Sequence, residues 1–350
     1  MKGSVLIAIG CCMLVFSAFA PCAHAQQDKI AQTGMKFLSF SPSPRAAALG
    51  DAMTAMEGDG QNLFYNPAGM AWQRSFVSVS MATTEWIAGI EYYAGSLSLR
   101  PGGGRLGVFG FSFMSVDFGD LEETIRFDND QGFLDIGTFN PTSWVFGLGY
   151  ARPLSDRFSV GGQIKYAAEN LAESITGYAT AGGNEYVRSD NSASVYAFDF
   201  GVLYKTGFRS LNFAVNARNF SEEISYEEES FQLPLTLAIG VSMDVMDLLT
   251  GAGTGDVVGA RNRKMHALRI SLDASNPRDF SEQIKVGGEY SFLQTFSLRA
   301  GYIFPTDVQG VTLGVGVQRL FGNGGFAADY SATTFDIFST VHRISLSLSI

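Results

Sequence analysis

From Arg74 to the last residue, most of the chain alternates between apolar residues and small or polar residues. A period of two residues is the pattern of a β-strand with one apolar face. The alternation is least regular in the segments 74–82, 88–99 and 106–117, and it is strict in the final segment, 343–350. Counting the alternating segments predicts an all-β chain of about fourteen strands.

The connections between these strands alternate in length. Those after the second, fourth, sixth, tenth and twelfth strands are tight, as expected between antiparallel neighbours. Those after the third, fifth and seventh strands, 118–142, 168–192 and 219–230, are long and polar. The pattern predicts an antiparallel barrel with one loop-rich rim. If the N-terminal part of the chain starts in the periplasm, the long connections face the outside of the cell.

Alternation alone does not distinguish a membrane barrel from a soluble sandwich. In a membrane barrel the apolar face of each strand faces lipid, whereas in a soluble sandwich it forms the core. In a barrel, a charged side chain that faces lipid at mid-membrane costs about 2 to 4 kcal/mol, so charges belong on the polar parity. The second half of the chain obeys this rule, and we predict a transmembrane antiparallel β-barrel. The predicted lumen-facing polar residues are Asn212, Asn216, Arg218, Arg269, Asp273, Lys285, Glu289 and Arg299.

The stretch 34–71 lacks the alternation. Pro42 and Pro44 have no backbone N–H to donate to a neighbouring strand, and the turn Asn66–Gly69 and several glycines interrupt the chain. Alanine-rich pieces on both sides of Gly50 favour short helical turns. We therefore predict that this stretch is a plug, or hatch, inside the barrel.

One combination of residues within the predicted plug is distinctive. Its members are Gly34, Phe37, Leu38, Arg45, Gly50, Asp51, Ala52, Tyr65, Asn66, Pro67, Ala68 and Gly69. This combination resembles the N-terminal signature of the PorV/PorQ outer-membrane proteins, relatives of the FadL-type long-chain fatty-acid transporter barrels. The resemblance implies that the Asn-Pro-Ala segment belongs to a hatch inside the barrel.

The resemblance implies two classes of function. In the first, the barrel is a shuttle or accessory subunit of type IX secretion, which binds the C-terminal signal domain of cargo and meets secretion-machinery proteins through its long loops. In the second, it is a passive channel for hydrophobic small molecules with the plug as its gate. For the second class, the expected hydrophobic ligand contacts are Phe37, Leu38, Phe40, Leu63 and Phe64.

The first 25 residues have the features of a signal peptide: a basic start, an apolar stretch, and the small-x-small sequence that ends at Ala25. We divide the chain into a signal peptide, 1–25, a plug, 26–73, and a transmembrane barrel, 74–350. Removal of the signal peptide also removes Cys11, Cys12 and Cys22. The mature chain is then expected to contain no thiol.

The composition of the chain limits which partners and which kinds of site are expected. The net charge of -10 argues against nucleic acid as a partner, and 40 Gly, 29 Phe and 13 Tyr suit a barrel. Outside the predicted signal peptide the only histidines are His266 and His342, which lie on different predicted strands. A catalytic triad or a zinc site is therefore not indicated. We predict a protein of the Gram-negative outer membrane, in contact with its lipid, that is not an enzyme and has no cofactor or bound metal.

Overall fold

Fourteen strands of this protein form one closed antiparallel barrel. The computed structural model describes residues 33–178, 186–226, 229–250, 265–306, 308–321 and 324–350. The barrel strands are β1 (Val77–Glu85), β2 (Glu91–Leu99), β3 (Val108–Asp117), β6 (Thr142–Pro153), β7 (Phe158–Tyr178), β8 (Tyr186–Lys205), β9 (Asn212–Ser221), β12 (Thr236–Asp244), β13 (His266–Pro277), β14 (Gln283–Phe292), β15 (Phe296–Phe304), β16 (Gln309–Phe321), β17 (Gly324–Phe335) and β18 (Val341–Ser349). Pairing of β1 with β18 closes the barrel. The predicted fold class and strand number are confirmed.

Four short strands lie outside the barrel in two hairpins. One hairpin consists of β4 (Leu121–Arg126) and β5 (Phe133–Phe139), and the other of β10 (Ile224–Tyr226) and β11 (Glu229–Phe231). Both fall within connections that the sequence assigned to long polar loops. These connections carry apolar residues, such as Ile125 and Leu134, which form a cross-strand pair in the first hairpin.

Helical structure is confined to short pieces, mostly at the N-terminal end of the described chain. The α-helices are α1 (Pro44–Ala48) and α2 (Met246–Thr250), and the 3-10 helices are Lys36–Ser39, Gly60–Phe64, Pro67–Trp72, Ile87–Gly89 and Pro101–Gly104. Within the described ranges, no helix has the length and apolar character needed to cross a membrane. The predicted signal peptide, 1–25, lies outside the described residues.

The two ends of the barrel differ. At one end, which we name the turn rim, short connections such as 154–157 and 293–295 join the strands, and Val77 hydrogen-bonds with Ile350. At the other end, the loop rim, the connections include 118–141 and 222–235, which carry the two hairpins. Because each strand crosses from one rim to the other, every odd-numbered connection along the barrel lies at the loop rim.

The outer surface of the barrel is an apolar band. Side chains at alternate positions point outward and are exposed, among them Leu148, Leu237, Leu298, Leu313 and Leu346. Charged side chains of the barrel strands, such as Asp273, Glu289 and Arg299, occupy inward-facing positions and are buried. An outward apolar band with polar residues inside is the arrangement of a membrane barrel, because lipid does not solvate charge.

The irregular alternation of β3 has a packing explanation. Its inward residues Val108, Met114 and Val116 are apolar and buried, while Phe109 and Phe111 face outward. The inward residues contact apolar side chains of the plug, such as Leu38 and Met70. A strand whose inner face packs against protein rather than water is apolar on both faces, so its period-two signal is weak.

Candidate functional site: the plug in the barrel lumen

Residues 33–76 form the plug, which fills the lumen from one rim to the other. The first described residue, Thr33, pairs with Gln232 in the connection before β12, so the plug begins at the loop rim. It ends beside the turn rim, where Gln73 accepts a 2.5 Å hydrogen bond from Ser98. That the plug starts on the periplasmic side stays a prediction, because the contacts of the plug do not show which rim faces the periplasm. Its path runs from the loop rim to the turn rim and then directly into β1.

The residues at the loop-rim end of the plug are tied to the rim by polar contacts. Gly34 donates its N–H to the Gln232 carbonyl at 3.1 Å, and Lys36 forms an ion pair with buried Asp279 at 2.5 Å. Asn219, whose side chain is buried, donates to the carbonyl of Leu38 at 3.4 Å. This end of the plug is consequently held by the connections of the loop rim as well as by the barrel wall.

Gly50 ends helix α1 and brings the plug backbone against the wall. The Gly50 N–H bonds to the Ala47 carbonyl, and the Asp51 N–H bonds to the Ala46 carbonyl, a Schellman closure that requires a left-handed residue. Gly50 has φ +59°, and a Cβ atom on it would lie 2.7 Å from the backbone nitrogen of Tyr302. On the wall side, a Cβ atom on Gly301 would lie 2.1 Å from the Gly50 nitrogen. Two glycines therefore permit direct backbone contact between plug and barrel.

Arg45 anchors the plug to a network of charges on the wall. Its Nε and one terminal nitrogen donate to the two carboxylate oxygens of Glu289, each at 2.9 Å. Arg299 donates to Glu289 at 2.7 Å and to Asp329 at 2.6 Å. Glu289 beside Arg45 raises the pKa of the guanidinium above its already high ordinary value. The pair therefore stays charged at every physiological pH.

Tyr65 ties the middle of the plug together. Its hydroxyl lies 2.8 Å from the Ser41 hydroxyl and accepts a hydrogen bond from the Ser43 N–H at 3.2 Å. The Asn216 side chain on the wall donates to the Tyr65 carbonyl. Burial raises the pKa of the Tyr65 phenol, which keeps it protonated.

The Asn66–Gly69 turn is packed tightly against the wall. Asn66 is fully buried and caps the 3-10 helix that follows, accepting from the Ala68 N–H at 3.0 Å. Its amide nitrogen donates to the carbonyls of Thr54 at 2.8 Å and Val202 at 3.2 Å. Ala68 is also buried, and a Cβ atom on Gly161 of β7 would lie 2.5 Å from its nitrogen. One side chain thus joins two parts of the plug to the barrel.

Replacing Asn66 by alanine is expected to loosen the plug. The change leaves buried backbone groups of Thr54 and Ala68 without their partner, and each such group costs roughly 1 to 3 kcal/mol. Hydrogen exchange of the peptide 52–72 should then be faster by at least tenfold. Asn129→Ala serves as the control, because Asn129 makes its hydrogen bonds in an exposed turn. If the plug peptide is equally protected from hydrogen exchange in the Asn66→Ala and Asn129→Ala variants, Asn66 does not anchor the plug.

An apolar cluster occupies the lumen at the loop rim. The plug contributes Phe37 and Leu38, which are buried, with Phe40 and Phe64 packed against them. The wall contributes Tyr92, Met114, Val116 and Val145, and the rim contributes Trp86. The Phe40 ring stacks on Tyr92 with centroids 3.7 Å apart and meets Trp86 edge-on at 5.2 Å. We name this group the loop-rim cluster.

The structure does not bring together all of the predicted hydrophobic ligand contacts. Phe37, Leu38, Phe40 and Phe64 belong to the loop-rim cluster, but Leu63 belongs to a separate cluster with Met70 and Val108. Leu63 and Phe64 are neighbours on a 3-10 helix, so their side chains point to different sides of the plug. The sequence did not indicate this division, because a helix of only five residues is too short to show a periodic pattern.

The predicted lumen-facing residues of the second half lie along the plug. Asn216, Asp273, Glu289 and Arg299 are buried, and Asn212, Arg218, Arg269 and Lys285 are partly buried. Several of them hold plug backbone: Asp273 accepts from the Thr54 N–H at 2.8 Å, and Arg218 donates to the Phe64 carbonyl at 2.5 Å. Asn212 donates to Glu57 of the plug at 3.1 Å. These side chains therefore contact the plug rather than an open pore.

A polar cavity of about 30 Å³ lies between the plug and the wall. Asp51 lines it from the plug, and Arg218, Asp273 and Lys285 line it from the barrel. The Oδ1 atoms of Asp51 and Asp273 have no hydrogen-bond partner among the described residues. A water molecule requires about 10 to 15 Å³ of such volume, so the cavity suits about two waters. It is too small and too polar for an apolar solute.

Sequence reasoning missed the contribution of glycine to the wall. Lumen-facing glycines on several strands lie directly under plug atoms, where a Cβ would come closer than 3.0 Å; they are Gly110, Gly149, Gly161, Gly201, Gly240, Gly287, Gly301 and Gly314. Repeated glycine on the polar parity of successive strands was visible in the sequence. Its meaning as a contact surface for the plug requires the register of the strands, which the sequence does not show.

Comparison with known proteins identifies the fold. No family model and no curated protein matches this sequence. Among solved structures, the toluene transporter TbuX of Ralstonia pickettii matches with a TM-score of 0.55 at 12% identity, covering 88% of this chain and 98% of TbuX. The monoaromatic hydrocarbon channel CymD matches with a TM-score of 0.53 at 11% identity, covering 89% of this chain and 98% of CymD.

The toluene transporter TodX of Pseudomonas putida is a third structure of this kind, with a TM-score of 0.52 at 12% identity over 88% of this chain and 96% of TodX. At such identities the likeness concerns the fold. The chain accordingly shares its fold, a closed β-barrel, with these transporters and channels.

Proposed function

We propose that this protein is a passive channel of the outer membrane for hydrophobic small molecules, with the plug as its gate. The observation that carries the proposal is the loop-rim cluster, in which Phe37, Leu38 and Phe40 of the plug meet Trp86 and Tyr92 at the mouth of the lumen. An aromatic and aliphatic surface at the mouth of a barrel is suited to an apolar solute. The shared fold with hydrocarbon transporters and channels supports the same function.

In this mechanism the plug is both the entry surface and the obstacle. A solute first replaces side-chain contacts of the loop-rim cluster, because Phe40 and Phe64 are only partly buried. Below the cluster, Arg45 and the Leu49–Gly50 backbone hold the plug against the wall. The solute therefore passes only when part of the plug leaves its contacts, without any covalent step. Residues 26–73 are proposed as the gate and 74–350 as the channel, with 1–25 removed as a signal peptide.

Uptake of radiolabelled toluene by Gram-negative cells tests the proposal. Cells that express the chain are expected to take up toluene several-fold faster than cells with an empty vector. Phe40→Asp should abolish this gain, because a carboxylate placed against Tyr92 and Trp86 is costly for an apolar solute to displace. Leu154→Asp is the matched control, since Leu154 is 61% exposed and lies in a connection of the turn rim. Uptake equal to the empty vector would refute the channel.

Type IX secretion is the second candidate function. Its support is the resemblance of residues 34–71 to the PorV/PorQ signature, whereas the similarity of fold favours the channel. The long connections at the loop rim would then bind the C-terminal signal domain of cargo. A pull-down from detergent-solubilised outer membranes distinguishes the two: recovery of secreted cargo or of translocon proteins supports secretion, and recovery of the barrel alone supports the channel.

A further inference from the structure

Charge is distributed unevenly around the lumen wall. Nine strands carry at least one charged lumen-facing residue: Lys165 on β7, Asp199 on β8, Arg218 on β9, Asp244 on β12, Arg269 and Asp273 on β13, Lys285 and Glu289 on β14, Arg299 on β15, Asp329 on β17 and Arg343 on β18. Four consecutive strands of the barrel, β1, β2, β3 and β6, carry none. We name the lumen-facing positions of these four strands the uncharged stripe.

The uncharged stripe runs from rim to rim and changes character on the way. At the loop rim, β2 presents Tyr92 and Ala94, which belong to the loop-rim cluster. Further along the same strand it presents Ser96 and Ser98, which are buried. The neighbouring strands place serines beside them, because Ser80 pairs in register with Ser96. The stripe is thus apolar at the loop rim and lined by hydroxyl groups toward the turn rim.

The serines of three stripe strands, β1, β2 and β3, form a belt that continues onto the adjoining β18. Register pairs join Ser347 to Ser80, Ser80 to Ser96 and Ser96 to Ser112. Ser78 and Ser98 form the next pair toward the turn rim. Hydroxyl groups that bond to one another or to backbone are cheaper to cover with an apolar solute than charged groups are. The uncharged stripe is therefore the part of the wall along which an uncharged molecule moves at the lowest cost.

The polar contacts of the plug are weaker on the stripe than on the opposite wall. Against the stripe it makes single hydrogen bonds: Ser78 donates to Asp59 at 2.9 Å, and Ser98 donates to Gln73 at 2.5 Å. Against β14 it makes the two-bond ion pair of Arg45 with Glu289. A bidentate pair of an arginine with a carboxylate is stronger than a single hydrogen bond from a serine hydroxyl. The first plug contacts to separate are accordingly those with the stripe.

We infer that solutes cross this barrel between the plug segment 58–64 and the uncharged stripe, while Arg45 keeps the plug attached to the charged wall. The inference rests on the proposed function and adds the path of the solute and the selection of uncharged over anionic solutes. The route accepts uncharged molecules and excludes anions of similar size. Toluene is expected to enter at least tenfold faster than benzoate.

A disulfide across the route tests its position. A Cβ atom on Gly60 would lie 3.2 Å from the Ser96 hydroxyl oxygen, which is close to the Cβ–Sγ separation across a disulfide. The double variant Gly60→Cys/Ser96→Cys, in a chain with Cys11, Cys12 and Cys22 replaced by alanine, should lose toluene uptake at least tenfold when oxidised. Dithiothreitol should restore it. The two single-cysteine variants control for the substitutions themselves. Full uptake by the oxidised double variant would overturn the route.

A second measurement does not depend on transport and so separates this inference from the proposed function. Ser80→Cys lies on the stripe, and Ser297→Cys lies at a comparably buried position on β15. The purified protein is treated with the uncharged thiol reagent methyl methanethiosulfonate, and the labelling rate of each cysteine is measured. Cys introduced at 80 should react at least tenfold faster. Equal rates would overturn the route even if toluene uptake is observed, whereas absent uptake with unequal rates would refute only the channel function.

Discussion

Replacing Arg45 by methionine is expected to release the plug from the charged wall and to open the barrel. The change removes two 2.9 Å bonds to Glu289, a carboxylate that is 6% exposed. Loss of one member of a buried ion pair costs about 3 to 5 kcal/mol. Because Glu289 keeps Arg299 as a partner, we expect the lower end of this range. About 3 kcal/mol corresponds to a change of more than a hundredfold in the equilibrium between docked and undocked plug.

Single-channel recording in planar bilayers measures this effect. The Arg45→Met barrel should show frequent large openings, and the unmodified barrel should stay mostly closed. Arg45→Lys keeps the charge but cannot form both bonds, so its conductance should be intermediate. Arg157→Met is the matched control, because Arg157 is exposed in a turn-rim connection. Closed behaviour of Arg45→Met would show that the ion pair does not hold the plug.

Replacing Gly301 by alanine is expected to displace the plug by steric contact alone. The new Cβ would lie 2.1 Å from the Gly50 nitrogen and 2.2 Å from the Leu49 carbonyl carbon. Non-bonded heavy atoms prefer separations of about 3.5 Å or more, so the plug backbone must retreat by roughly 1.4 Å. It cannot do so locally, because Gly50 is fixed by its bond to Ala47 at the end of α1. The whole helical turn must therefore move.

Trypsin cleavage after Arg45 reports this movement. Cleavage in Gly301→Ala should be at least tenfold faster than in the unmodified protein, and conductance should rise with it. Gly288→Ala is the matched control: it lies on the adjacent strand, and its nearest neighbours would be 3.7 Å and 4.0 Å from the added Cβ. If both variants resist trypsin equally, the plug is not seated on Gly301.

Much of the barrel was predictable because lipid imposes a simple rule on sequence. A strand between lipid and a polar lumen must alternate, and the strands from β6 onward do so. β3 was less clear, since Val116 and Met114 pack on the plug instead of facing a polar lumen. The two hairpins of the loop rim were not predicted, because the alternation in a short exposed strand is hard to distinguish from the sequence of a polar loop.

The plug was predictable as a segment but not as a contact surface. Its prolines and glycines, and the resemblance of Arg45, Gly50 and Asn66 to a known signature, marked it as distinct. The partner of Arg45 was not predictable, since Glu289 lies 244 residues away. The rim at which the plug begins was not predictable, because no local pattern indicates that Thr33 pairs with Gln232. The predicted hydrophobic ligand contacts do not form one group, because Leu63 and Phe64 point to different clusters. No local pattern indicated this separation either.

The sequence by itself determined the class of fold, the number of strands and the parity of their faces. These properties depend on each residue and its neighbours two positions away, and on the cost of exposing charge to lipid. Only the tertiary structure decided which strands carry the charged wall, where the serines align across strands, and where the plug backbone meets glycine. These depend on strand register and barrel closure, which join residues hundreds of positions apart, such as Ser80 and Ser347. The contact between plug and barrel is a property of those pairings, and local sequence does not contain them.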